Sequence, residues 1–250
     1  MDEGTSPQPG FWIARPDIAP LEIAAALGYR IAVIDMEHGA ITERDCDALV
    51  SLARALGLSV MVRVAESRAI LVQQALDSGA HGVMLPMIRN AAHAAEASRA
   101  AKYPPLGTRG VGSGRAFGYG IYHAIEAGFH ESANAATRCH VMIETAGALE
   151  EVGAIAALPS VDGLFVGPSD LSLARGRDAF RFTSDDESDF KRVAEACRAN
   201  NKILGLPAPT ATALAFAKVQ GADYVTVSDD LTALRLGFAQ GLAPFGRGEA

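Results

Sequence analysis

The feature that most restricts this chain is a rhythm. Short apolar segments of strand composition alternate with segments of helical period, eight times, with no linker-like shift in composition between them. Strands are expected at 10–14, 31–35, 59–64, 82–85, 140–143, 163–166, 203–206 and 224–227. Helices are expected at 19–27, 42–56 behind a Thr42 cap, 67–78, 91–102, about 123–133, 145–158, 210–220 and 231–242; another is marked by Phe190, Val193, Ala194 and Cys197 at i, i+3, i+4, i+7. Eight such units close naturally as a (β/α)8 barrel, a single α/β domain over residues 1–250 with about residues 1–9 as a flexible N-terminus. A doubly wound open sheet is the main rival, but the glycine fingerprint that usually follows its first strand is missing.

Composition supports a large core and removes several classes of function. The 250 residues are 49% hydrophobic and 20% charged, which excludes global disorder. Lys and Arg number 22 against 29 Asp and Glu; the net charge of −7 argues against a nucleic-acid or anionic-membrane partner. No run of about 18 apolar residues offers a membrane span, and residues 1–10 lack the apolar stretch of a signal peptide. Cys46, Cys139 and Cys197 are too few and too scattered for a disulfide or zinc framework, and read as buried thiols of a reducing cytoplasm.

In a parallel barrel, chemistry is placed at the C-terminal ends of the strands. The apolar run Ile31-Ala-Val-Ile34 passes directly into Asp35, Met36, Glu37 and His38. Arg63, Glu144, Ser169 and Asp170 stand at other predicted strand ends. A lone Thr145 or Ser169 reads as a helix cap. The set as a whole puts up to four carboxylates, one His and one Arg on one face, which suits a hard divalent cation such as Mg²⁺ or Mn²⁺. Glu144 and Asp170, each following an apolar strand, are the candidate ligands. The chain has only four lysines, Lys102, Lys191, Lys202 and Lys218, none at the top of a predicted strand, so a Schiff-base mechanism is disfavoured. His81, His93, His123, His130 and His140 show no zinc spacing and read as surface or core residues.

A long loop from 103 to about 122 breaks the rhythm with six glycines. Its run Gly110-Val-Gly-Ser-Gly114 fails the G-x-G-x-x-G pattern at Arg115. Two readings stand: a flexible turn, or a lid whose Arg109 or Arg115 meets an anionic substrate.

Several segments together carry a family resemblance: Ile34-Asp-Met-Glu-His-Gly39, Val62-Arg-Val64, Val83-Met-Leu-Pro-Met87, the stretch 102–112, Ile143-Glu-Thr145 and the stretch 162–172. With these the chain resembles the metal-dependent (class II) pyruvate aldolases of the HpcH/HpaI family. The resemblance implies a carbon–carbon lyase that reversibly cleaves 4-hydroxy-2-oxo acids to an aldehyde and pyruvate, or a close 2-oxo acid such as hydroxypyruvate, through a metal-stabilised enolate. It implies a divalent cation (Mg²⁺, Mn²⁺ or Co²⁺) on Glu144 and Asp170, enolate stabilisation by Arg63, and His38 held by Asp35 as the acid/base element. The substrate carboxylate would meet the backbone of Gly167, Pro168 and Ser169. A homo-oligomer, a hexamer built from dimers that exchange the last helix at 231–242, is implied as well. Where several relatives carry Gln two residues before the metal-binding Glu, this chain has Met142. The alternatives are a CoA-ester lyase of the citrate-lyase-β or malyl-CoA type, for which no nucleotide surface is identifiable, and a non-catalytic ligand-binding barrel.

Overall fold

The computed structural model describes residues 6–120 and 128–246. Eight parallel strands close into a barrel in sequence order. They are β1 (Gln8–Ile13), β2 (Ile31–Asp35), β3 (Ser59–Arg63), β4 (Gly82–Leu85), β5 (Arg138–Ile143), β6 (Gly163–Val166), β7 (Ile203–Pro207) and β8 (Tyr224–Asp229). The first strand starts at Gln8, two residues earlier than its apolar composition suggests, so residues 8 and 9 belong to the barrel and only residues 1–5 of the expected flexible terminus lie outside the described residues.

Helices cover the outside: α1 (Ala19–Leu27), α2 (Glu43–Ala55), α3 (Ala69–Asp77), α4 (Ala91–Ser98), α5 (Phe129–Ala136), α6 (Ala146–Glu150), α7 (Val152–Ala156), α8 (Pro168–Ala174), α9 (Ser184–Ala199), α10 (Ala211–Gln220) and α11 (Asp230–Leu242). Thr42 caps α2 in a reciprocal capping box with Asp45. The helix expected at 145–158 is two short ones broken at Glu151, and that expected at 91–102 ends in a 3-10 turn. Residues 121–127, where part of the helix at about 123–133 was expected, lie outside the described residues.

The strands read as unbroken apolar runs because both of their faces are buried. One set of alternate residues, including Ala32, Ile34, Val60, Val62, Val141 and Ile143, packs against the helices. The other set, Ile31, Val33, Met61, Met84, Met142, Phe165 and Tyr224, fills the barrel itself. Large side chains there lie against glycines: a Cβ on Gly163 would come within 2.7 Å of His140 Nε2. His140 therefore belongs to the core; burial pushes its imidazole down to about 3, and Nδ1 lies 2.9 Å from the Tyr224 hydroxyl.

The lysines are used structurally. Lys102, 1% exposed, donates to the carbonyls of Asn134 (2.9 Å) and Thr137 (2.7 Å) and pairs with Asp162 (2.7 Å). Lys202 donates to the carbonyls of Leu158 and Val161. Replacing Lys102 by Met keeps the bulk but leaves two carbonyls without their donor and the Asp162 carboxylate without its cation, with the Cys139 N–H as its remaining donor. Loss of one partner of a buried pair costs roughly 3–5 kcal/mol, and a fall of that order in unfolding free energy is expected for Lys102→Met in urea titrations.

Candidate active site

Period-two geometry decides which side chains meet at the C-terminal mouth. Asp35 and Arg63 end neighbouring strands and are register partners. Both face the barrel axis, and they form a bidentate pair: Arg63 Nε donates to Asp35 Oδ1 at 2.8 Å and Nη2 to Oδ2 at 2.6 Å. The guanidinium, 8% exposed as a residue, lies over the Trp12 ring at 4.8 Å. Beyond the strand, the Asp35 carboxylate also accepts the backbone N–H groups of Glu37 (3.1 Å) and His38 (3.2 Å), so it holds the turn that presents both.

The expectation that Asp35 would hold the His38 imidazole is corrected in detail. Asp35 takes the backbone amide of His38, while the exposed ring lies 3.9 Å from Glu37 Oε2. Glu37 also stands 3.1 Å from Arg63 Nη1. Burial, the neighbouring Asp35 and Asp170 raise the Glu37 carboxyl above its ordinary value, against the opposing pull of Arg63 and His38.

Glu144 follows β5 and is fully enclosed. Its Oε1 accepts the Met87 N–H at 2.5 Å. Met87 adopts a left-handed backbone (φ 51°), which turns that N–H toward the carboxylate. Gly167 leaves the space: a Cβ there would meet Glu144 Oε2 at 2.5 Å. From Gly167 the chain enters α8 with Pro168 in its first turn, and Asp170 lies in the same turn. The short helix is pinned from behind. Ser172 donates to Asp186 (3.1 Å), and Arg177 pairs with Asp186 (3.1 Å) and Asp189 (2.8 Å). Thr145 is a helix cap, accepting from the Ala148 N–H.

The lid reading is not supported within one barrel. The described part of the glycine-rich loop follows α4 and precedes α5, on the return from the helix layer toward the N-terminal end of β5, opposite the strand C-termini. Arg109 is buried, 2.9 Å from Asp77 at the end of α3 and stacked on Tyr103 at 4.9 Å. Arg115 donates to the Ser78 carbonyl and pairs with Asp47 at 2.8 Å. Both arginines thus fasten the loop to the outer helices, and neither meets Arg63 or Glu144. Part of the loop is a 3-10 turn, Arg115–Gly120.

What remains at the mouth is Glu37, Glu144 and Asp170 around one guanidinium already matched by Asp35. Among the described residues, no group of three or more His, Cys, Asp or Glu side chains is placed to hold a metal ion. Oxygen donors of this kind suit a hard cation that keeps further positions for water or substrate.

Residues 8–234 match the model of the HpcH/HpaI aldolase/citrate lyase family. The chain belongs to that family. It is accordingly an enzyme of the aldolase and lyase kind. A 2-dehydro-3,6-dideoxy-6-sulfogluconate aldolase of Pseudomonas putida is 33% identical, over 89% of this chain and 86% of its own. A hydroxypyruvate/pyruvate aldolase of Paraburkholderia phytofirmans is 38% identical over 77% of this chain and 75% of its own. The crystal structure of a family protein from Burkholderia cenocepacia superposes with a TM-score of 0.86 at 33% identity, covering 97% of this chain and 96% of that one.

One element of this HpcH/HpaI-family site escapes a motif-led reading. Glu37 is legible as a carboxylate just past the β2 run, but the Met87 amide leaves no side-chain signal at all.

Glu144 carries a testable consequence. Burial first, then Glu37 and Asp170, push its carboxyl up to about 7, with the Met87 N–H and Arg63 opposing. The folded protein therefore holds a proton that the unfolded chain releases from about pH 4.5 upward. Its contribution favours folding at low pH and is lost as pH rises from about 4.5 to 7, by up to roughly 3 kcal/mol. In chelator, Glu144→Gln should gain stability over the parent between pH 5 and 8. Thermal melts across that range measure the difference.

Proposed function

We propose that the protein is a divalent-metal-dependent aldolase that cleaves 4-hydroxy-2-oxo acids to pyruvate, or a close 2-oxo acid, and an aldehyde, and runs the reverse addition. The observation that carries this reading is the uncompensated carboxylate corner of Glu144 and Asp170 facing Arg63 at the barrel mouth. These two residues would hold the cation. A cation held there would supply Lewis-acid stabilisation of the negative charge that develops on a 2-oxo acid. The aldolase names of the relatives support the same reaction class.

The remaining roles fall to the chain's own groups. Arg63, fixed by Asp35 and Trp12, donates to the 2-oxo oxygen as negative charge develops there. The backbone N–H of Ser169 at the start of α8 meets the substrate carboxylate, and Gly167 and Pro168 shape that approach. His38 Nε2 takes the proton from the C4 hydroxyl as the C3–C4 bond breaks, and returns a proton to C3. The phosphate-loop look of residues 110–114 lends no support to a CoA-ester substrate, because Gly112 and Gly114 lie against Asp77 on the outer face of α3.

Pyruvate alone in D₂O should lose its methyl protons to solvent in the presence of the enzyme. Exchange should stop with a chelator, return with Mg²⁺, Mn²⁺ or Co²⁺, and fall in Arg63→Ala by roughly 100–1000-fold, the effect of losing one preorganised oxyanion donor. Chelator-resistant exchange that borohydride traps would falsify the metal mechanism.

The assembly is part of the proposal. On α11 only Asp230 is buried, while Leu231, Leu234, Leu236, Phe238 and Leu242 are exposed. Beside it, Pro20, Ile23 and Leu27 of α1 line an apolar groove of about 490 Å³ that reaches Phe11. A patch of this kind on one chain calls for cover, and the occupant is the α11 of a second copy, exchanged within a homo-oligomer. Phe238, 73% exposed, is its outermost aromatic. Phe238→Glu should reduce the assembly to smaller species in light scattering; a wild-type monomer would overturn the exchange.

A further inference from the structure

The carboxylate with room for the His38 imidazole is not the one that the strand end offers. Asp35 is saturated: Oδ1 accepts from Arg63 Nε and two backbone amides, and Oδ2 from Arg63 Nη2. Glu37 is differently placed. Its side chain is 13% exposed, and Oε2 accepts no hydrogen bond although it lies 3.1 Å from Arg63 Nη1 and 3.9 Å from His38 Nε2. A buried carboxylate oxygen with no hydrogen-bond donor is a costly arrangement unless a donor reaches it at some stage. Besides Arg63, the charged donor within ion-pair reach is the His38 imidazolium, 3.9 Å away.

We propose that Glu37 is the positioning residue for His38: its carboxylate receives the imidazolium N–H, while Asp35 holds the turn and Arg63. The consequence for turnover rests on the aldolase reading, but the pairing itself rests on the geometry. The charged groups facing Glu37 are Arg63 from β3, Glu144 after β5, Asp170 on α8, and Asp35 and His38 in its own segment. Arg63 is shared with Asp35, and Glu144 and Asp170 repel, so among the side chains that face Glu37 the imidazolium is the one cation not already matched by another carboxylate. When His38 takes a proton from the C4 hydroxyl, the new positive charge forms beside a waiting anion. When it returns the proton to C3, that charge disappears again. No other group changes protonation.

The experiment follows the His38 ring signals by NMR against pH in the full-length protein, in parallel with the pH profile of pyruvate proton exchange. An opposite charge within about 4–6 Å favours the charged form of an imidazole. Glu37→Gln should therefore lower the His38 midpoint, move the acidic limb of the exchange profile to lower pH with it, and reduce its plateau. Glu37→Asp should restore part of the midpoint. Asp35→Asn should leave the midpoint in place and instead weaken pyruvate binding through Arg63. A midpoint unmoved in Glu37→Gln, or one that falls only in Asp35→Asn, overturns the proposal. If Asp35→Asn does not fold, the Gln and Asp variants at 37 decide it alone. A midpoint that follows Glu37 in a protein that exchanges no pyruvate protons would uphold the pairing and sink the aldolase reading instead.

Discussion

The Asp35–Arg63 pair is the interaction on which the mouth of the barrel depends. Two neighbouring strands end in register on opposite charges, in a place where water is scarce and each charge needs the other. The pair does more than neutralise itself. The guanidinium is flattened against Trp12, so its orientation is fixed before any ligand arrives. The carboxylate reaches past the strand end to hold the amides at 37 and 38, which converts a strand terminus into a shaped turn. Without the pair, Arg63 would lose the carboxylate that orients it and Asp35 the cation that balances its charge.

Around that fixed point the protein gathers more negative charge than it matches. Glu144 is fully enclosed, with one backbone N–H as its hydrogen-bond donor, and its neighbours Glu37 and Asp170 repel it. Such a cluster costs stability, and the fold supports it with structure rather than with counter-charge. Met87 is held in a left-handed conformation to aim its N–H, Gly167 lacks the Cβ that would collide with Glu144, and α8 is pinned by the Ser172–Asp186 and Arg177–Asp189 contacts. Strain and repulsion kept in one place are expected where a protein prepares to bind charge.

How much of this was legible in the sequence follows from what each feature writes into it. Strands buried on both faces leave apolar runs, so 31–35, 82–85 and 163–166 match the observed strands end for end. Asp35, Arg63 and Glu144 were found because they follow such runs. The short α8 was missed: seven residues behind Gly-Pro carry no helical period. The loop arginines were over-read because composition attracted attention where order along the chain should have decided. A loop that follows a helix in a (β/α)8 barrel returns to the far end, and Arg109 and Arg115 are structural there. The pairing of His38 with Glu37 rather than Asp35 was hidden because hydrogen-bond saturation of Asp35 depends on backbone amides, which have no letter in the sequence.

One layer below the charges, the barrel is apolar. Met142 is the interior residue two positions before Glu144, and its Cε lies 3.1 Å from the point a Cβ on Gly167 would occupy. With Met84 and Phe165 it makes a floor without hydrogen-bonding side chains, and Trp12 joins that floor to Arg63. A low-polarity floor strengthens every charge interaction above it, so the Arg63 guanidinium and the carboxylates act on a ligand with little competition from water beneath. It also bears on what can lie against it. A polar side chain at position 142 would offer a hydrogen bond to a ligand hydroxyl, whereas the Met thioether offers chiefly apolar contact. Met142 therefore bears on the contacts that a ligand can make from below, while Arg63 and the carboxylates stand in the layer above, on strand ends that Met142 supports but does not share.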